Sequence, residues 1–268
     1  MKLNCVRSIE LRDDMSKLLL DVGNTRVKWA RVRSGSYEYS GAVALQGLSV
    51  EAFLQQVWPD AEKPSQVVIA SVTDSEWMRL LRFCIANSWS STLLEVVSEA
   101  KKIGLKNGYA QPQRLGVDRW CALLGAWQQE ASAVCVIDAG TALTMDVVNN
   151  GGEHLGGLIV PGLNLMRECL LNRTAKVHLQ LSEDEQADSQ PSIELLGKNT
   201  AQAVAGGALW TLAAGVERLH SQAYDLVGGP MRCIITGGDA QQLLPLLSGD
   251  WQWTPDLVLR GLQVYATA

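Results

Sequence analysis

The 268-residue chain contains no C-x-x-C pair, no cluster of Lys and Arg, and no uncharged apolar run near the roughly 18 residues that a spanning helix requires. It also lacks both common phosphate-loop fingerprints, G-x-x-x-x-G-K-[ST] and G-x-G-x-x-G. These absences lead to the expectation of a soluble protein that would have to hold any nucleotide in some other way. With a net charge of −5 and no basic patch, there is no electrostatic reason to expect nucleic acid or an anionic membrane as a partner. The six cysteines (Cys5, Cys84, Cys121, Cys135, Cys169, Cys233) stand far apart with no secretory leader before them, and read as reduced, buried thiols of a cytoplasmic protein. The three histidines (His154, His178, His220) are scattered and form no metal-ligand pair; His220, read as near a helix end, is expected to be a surface residue complementing the dipole.

What is present is ordinary globular composition, 47% apolar and 19% charged, in a chain long enough for one large domain or two half-size ones. Two packed halves are the preferred reading. The first 14 residues are charged and lack a long apolar core, so they are not expected to be a signal peptide, and Met15, just before the first strand, is read as a candidate alternative start. Leu18 to Val22, Val27 to Arg33 and Tyr37 to Leu45 read as an antiparallel meander. A helix from Val50 to Trp58, a strand from Gln66 to Ser71, a helix from Glu76 to Ala86 and a strand from Leu93 to Val97 follow, in alternating β and α units.

A helix from about Gly116 to Glu130 is predicted by the spacing of Val117, Trp120, Cys121, Leu124 and Trp127. The opening pattern then returns. "LLLDVGNTRVKWA" (18–30) and "AVCVIDAGTALTMDVV" (133–148) each drive an apolar run into an Asp, a small polar turn and a second alternating strand, about half the chain length apart. "GGLIVPG" (156–162) supplies a third strand after the second copy. The acidic stretch 182–192 reads as a surface loop, Asn199 or Thr200 can cap a long helix, and "CIITGGDA" (233–240) ends a strand in a Gly-Gly turn before a helix.

A carboxylate closing a buried strand is poorly solvated and is tolerated where a cation, a metal-bound water or several donors face it. Gly23, Asn24 and Thr25 put small residues where backbone N–H groups and a hydroxyl can approach a phosphate, and magnesium on a nucleotide suits both features. Taken alone, Asp21 better suits a carboxylate that accepts from the N–H groups of its own turn. Two copies and the Gly-Gly turn favour a phosphate chain gripped from two sides, with a base or ribose at Gly237 and Gly238.

The stretches "DVGNTRVKWA", "NGYAQPQRLGVDRW", "DAGTALTMD", "GGLIVPG", "NTAQAVAGG" and "ITGGDA", taken together between Lys17 and about Leu262, resemble the type III pantothenate kinases of the acetate and sugar kinase, Hsp70 and actin superfamily. The resemblance implies an α/β fold of two related actin-like (ribonuclease H-like) halves, 15–130 and 131–268. Each would be a mixed five-stranded sheet with flanking helices, the second half carrying dimer-forming helices. It implies ATP-dependent phosphorylation of the terminal hydroxyl of pantothenate, the first step towards coenzyme A, using ATP with Mg2+ and a monovalent cation, K+ or NH4+.

Carried over by residue, Asp21, Val22, Gly23, Asn24 and Thr25 would serve the first phosphate site, with Asp21 holding magnesium through water. Gly140 and Thr141 would serve the second, Asp138 would help hold the monovalent cation, and Gly237 and Gly238 would border the adenosine. Lys28 approaches a phosphate or is a solvated strand residue. Asp118 would accept the proton of the attacking hydroxyl and Arg119 would pair with an anionic group of substrate or transition state. Asn107, Gly108, Tyr109, Gly116 and Val117, with Gly157 and Pro161, would shape the pantothenate pocket. Thr200 would reach the pantothenate of a partner subunit, making a homodimer part of the site.

Local sequence offers plainer roles beside these: a dipole-stabilised helix-end carboxylate for Asp118, a solvated helix residue for Arg119, simple turns at Asn107-Gly108 and Pro161-Gly162, and an N-cap hydroxyl for Thr200. A kinase for another small hydroxylated acid or sugar, or a ligand-sensing regulatory protein on the same fold, are the competing functions.

Overall fold

The computed structural model describes residues 16–173 and 195–267. Met15, Cys5, His178 and the acidic stretch 182–192 lie outside the described residues. One compact unit takes the chain as far as Val96, with the last residues from Tyr265; the other is Val97–Val264.

In the first unit, strands β1 (Lys17–Val22), β2 (Arg26–Arg33) and β3 (Ser36–Ala44) form the expected meander. Helices α1 (Val50–Val57) and α2 (Glu76–Cys84) then alternate with strands β4 (Gln66–Ser71) and β5 (Thr92–Glu95), giving one sheet of order β3-β2-β1-β4-β5. Strands β1 and β4 are parallel, as a helical crossover dictates, whereas β1 and β2 are antiparallel, as a short turn dictates. Each helix starts where a serine can satisfy an orphan amide: Ser49 Oγ accepts from Ala52 N–H at 3.1 Å, and Ser75 Oγ from Met78 N–H at 3.3 Å. Apolar residues at helical spacing, Val50, Phe53, Leu54 and Val57, turn one face of α1 onto the sheet, where the Phe53 ring meets Trp29 edge-on at 6.0 Å. A π-helical turn, Ile85–Trp89, ends α2, and no feature of the sequence announces it.

The second unit opens with a short hairpin, β6 (Lys101–Lys102) and β7 (Leu105–Lys106), and helix α3 (Val117–Gln129). Strands β8 (Val134–Ala139), β9 (Ala142–Val148) and β10 (His154–Pro161) repeat the meander. After helices α4 (Leu163–Arg173) and α5 (Thr200–Val227) come strand β11 (Arg232–Thr236), the short helix α6 (Ala240–Leu243), strand β12 (Trp251–Trp253) and helix α7 (Leu257–Ala266). The sheet order, β10-β9-β8-β11-β12, is that of the first unit strand for strand. Helix α3 is buried on nearly all sides; a Cβ on its Gly125 would overlap the Leu257 carbonyl, so glycine sets how closely α7 can cross it. Of the two candidate caps of α5, Asn199 takes the role, its Oδ1 accepting from Gln202 N–H at 2.8 Å, and Thr200 is the first helical residue.

Two expectations are corrected. His220 lies inside α5 rather than near its end, with Nε2 3.1 Å from Cys233 Sγ and its ring 5.5 Å from Trp251, because the apolar face of the helix carries it onto the sheet. The described cysteines form no disulfide, but of these only Cys121 and Cys135 are buried; Cys84 and Cys233 are half-buried, and Cys169 is exposed on α4. Among the described residues no helix is long and apolar enough to cross a membrane.

Candidate active site

In the first unit, Asp21 is the fifth residue of β1 and stands opposite Lys28 of β2. Gly23 N–H donates to the Arg26 carbonyl at 3.0 Å and closes the turn, leaving Asn24 and Thr25 exposed at its tip. Val22 turns its side chain into the core, so only its backbone could meet a ligand.

In the second unit Asp138 is likewise the fifth residue of its strand, opposite Thr144 of β9 and Thr236 of β11. Gly140 N–H donates to the Ala142 carbonyl at 3.1 Å, and Gly162 N–H to the Thr141 carbonyl at 3.0 Å, so the end of β10 seals the turn. Gly237 has φ +96°, and a Cβ there would overlap the backbone of Ala139; glycine is required on both counts. Asp239 N–H donates to the Ala139 carbonyl at 2.9 Å, which brings the Gly237-Gly238 turn beside the Asp138–Thr141 turn. Beneath them the Thr236 hydroxyl is fully buried and unpartnered among the described residues. An orphaned hydroxyl beside a strand-end carboxylate and two glycine turns fits a polar, oxygen-rich ligand such as a phosphate chain with its cation.

The acceptor candidates gather at the start of α3. Gly116 precedes the helix, and a Cβ on it would lie 2.6 Å from Asp118 Oδ1. Asp118 Oδ1 accepts from Arg119 N–H at 2.8 Å, yet burial dominates and pushes its carboxyl above the usual range. Arg119 is 6% exposed, which removes the solvated alternative. Its Nε donates to Asp146 Oδ2 at 2.7 Å, Nη2 to Asp146 Oδ1 at 2.6 Å and Nη1 to Tyr109 Oη at 2.9 Å. Burial is the largest single influence and works against the charge, but the hydrogen bonds and charge of Asp146, together with Tyr109, hold the guanidinium above its ordinary value. His154 Nε2 lies 2.8 Å from Asp146 Oδ1, and the Tyr109 and His154 rings stack with centroids 6.0 Å apart.

The structure therefore brings Gly108, Tyr109, Gly116, Asp118, Arg119 and Gly157 together. Gly108 and Gly157 are there for space: a Cβ on the first would overlap the His154 carbonyl, and on the second Asp146 Oδ1 and Arg119 Nη2. Asn107 shapes the loop, its side chain donating to the Glu99 and Pro112 carbonyls and accepting from Tyr109 N–H. Val117 is half-buried in the first turn of α3. Pro161 and Thr200 line a separate cavity of about 860 Å³ between α4 and α5, with Leu165, Met166 and Thr211. Among the described residues no group of three or more His, Cys, Asp or Glu could hold a metal ion by itself.

Asp146 and His154 are the site residues that sequence reasoning missed. The available signal was an acid inside a strand flanked by Met145 and Val147, facing a Gly-Gly pair on the next strand.

A family model described as type III pantothenate kinase matches residues 17–222. The chain is 34% identical over 250 residues to a type III pantothenate kinase of Nitrosococcus oceani, covering 91% of each chain. It is 37% identical over 254 residues to another, of Nitrosospira multiformis, covering 94% of this chain and 92% of the relative. Among solved structures it is similar to a ROK family glucokinase from Streptomyces griseus in complex with glucose and AMPPNP (TM-score 0.51, 13% identity, 92% and 97% covered). It is also similar to the ethanolamine utilization protein EutJ from Carboxydothermus hydrogenoformans (TM-score 0.52, 11% identity, 93% and 89% covered). With two five-stranded mixed sheets and flanking helices, the fold is the α/β actin-like one of the sugar kinases.

Proposed function

The chain belongs to the type III pantothenate kinase family, and on that premise we propose how its residues divide the work of phosphorylating pantothenate with ATP, the first step of coenzyme A biosynthesis. Asp118 is the general base for the terminal hydroxyl. The observation that carries this role is a carboxylate whose pKa is raised by burial, beside a guanidinium locked in place. A raised pKa makes a stronger base near neutral pH, and phosphoryl transfer otherwise needs mostly positioning and charge compensation. Arg119 offers an anionic group the N–H donors that Asp146 and Tyr109 leave over. Gly108, Tyr109, Gly116, Val117 and Gly157 surround the acceptor, with Asn107 bracing their loop and Pro161 at the end of β10.

For the nucleotide, each unit supplies one phosphate-binding turn in this reading. Asp21, Val22, Gly23, Asn24, Thr25 and Lys28 serve one phosphate site, Gly140 and Thr141 the other, and Gly237 with Gly238 the adenosine. Magnesium, held through water by Asp21, would neutralise charge developing on the phosphate oxygens. We extend the reading to a potassium or ammonium ion at Asp138, to a cytoplasmic location, and to a homodimer in which Thr200 completes the partner's acceptor site.

The test is ADP release by the purified protein with ATP, magnesium and pantothenate, run with potassium and again with sodium only. Potassium-dependent turnover is the expected result. Turnover of glycerol, glucose or acetate in place of pantothenate would move the acceptor assignment, and no turnover of any would favour a ligand-sensing role.

A further inference from the structure

Asp146 takes no part in the chemistry above, yet it is 2% exposed and its two oxygens engage three donors, two from Arg119 and one from His154. Carrying an ion pair into a core seldom gains stability over an apolar pair of the same size, so its presence is better explained by what it fixes. A guanidinium has five N–H donors. Asp146 takes Nε–H and one of Nη2, and Tyr109 takes one of Nη1, so a single N–H remains on each terminal nitrogen. The Gly108 amide donates to His154 Nδ1 at 3.4 Å, which puts the ring proton on Nε2 and aims it at Asp146 Oδ1. Gly157 keeps the pair its room, since any side chain there would overlap both partners.

We propose that Asp146 is the positioning residue for Arg119, and that His154 in turn positions Asp146. Together they hold the guanidinium side-on to β9, so that the acceptor's carboxylate is met by two N–H groups of fixed direction. Asp146 also offsets the guanidinium charge, so recognition rests on the direction of those donors more than on net charge. This rests on the proposed pairing of Arg119 with an anionic group, taken here to be the carboxylate of pantothenate.

Steady-state kinetics of His154→Gln, His154→Leu and Asp146→Asn, with pantothenate and ATP varied in turn, test it. Glutamine can keep a donor toward Asp146 and leucine cannot. The expected result is a pantothenate KM raised about tenfold or more in Asp146→Asn and about fivefold in His154→Leu, near wild type in His154→Gln, with the ATP KM within about twofold throughout. Equal pantothenate KM values in the leucine and glutamine variants would overturn the proposal, as would an ATP KM that rises in parallel. Should Asp146→Asn fail to fold, the His154 pair decides alone. A wild-type protein that turns over no pantothenate would overturn the acceptor assignment and this proposal with it; active wild type with indifferent variants would overturn this proposal only.

Discussion

The two sheets share one strand order, so they can be compared residue by residue. In the first, Asp21 faces Lys28 and, two residues earlier, Leu19 faces Ala30; in the second, Asp138 faces Thr144 and Val136 faces Asp146. Ala30 and Asp146 are therefore equivalent, and their neighbours on the third strands are Tyr39 and Gly157. Both third strands carry an irregularity close to this point. Where the first sheet fills the position with a fully buried methyl group, the second buries a carboxylate and removes the neighbouring side chain. One topology thus serves as plain scaffold in one unit and as an anchor for Arg119 in the other.

The largest effect expected on this contrast comes from Asp118, the proposed base, which belongs to the second unit. Asp118→Asn should lower kcat by about two to four orders of magnitude while ATP binding, followed by fluorescence titration, is kept. The same variant should melt at a higher temperature at neutral pH. Since folding raises the Asp118 pKa, the folded state binds more protons than the unfolded one between the ordinary carboxylate pKa and the raised value. Its contribution to stability therefore falls as pH rises through that window, and asparagine is spared the penalty. Wild-type turnover should fall as pH drops through the raised pKa. A Tm that does not rise would remove burial as the cause.

Transplanting the second unit's carboxylate breaks the comparison from the other side. Ala30→Asp buries an acid with no guanidinium prepared for it and should cost about 3–5 kcal/mol in chemical denaturation, the scale of an unpaired buried charge. Tolerance of the change would mean that the first sheet already has a partner for it. Gly157→Ala, by pushing Asp146 and Arg119 apart, should cost about 1–3 kcal/mol and raise the pantothenate KM more than the ATP KM. Smallest is Gly215→Ala in α5, where a Cβ meets nothing within 4 Å and helix propensity alone should add about 0.5–1 kcal/mol. A loss there would show a contact on that helix face.

Both meanders, the alternating helices and the strand-end acids were legible because each is a local pattern. An apolar run such as Leu18–Leu20 or Val134–Ile137 has few alternatives to a buried strand, and a Gly-containing turn must follow it. The π-helical turn after α2 and the β6–β7 hairpin were not, because their residues carry no periodic signal; Ile103 even takes a φ of +43° that β-branched residues disfavour. Asp118 and Arg119 were named through the family resemblance, while local spacing favoured a solvated helix end. Asp146 passed as one polar residue in an alternating strand, and His154 as a stray histidine, since their partners lie elsewhere in the sequence.

By itself the sequence determined both meanders, the helices α1, α2, α3 and α5, the glycine turns and the family, because propensity, periodicity and turn chemistry act over a few residues. Only the tertiary structure decided that Arg119 is buried, that burial raises the pKa of Asp118 and that Asp146 and His154 stand behind Arg119. Those properties depend on desolvation and on hydrogen bonds between α3, β9 and β10, and neither exists until distant segments pack.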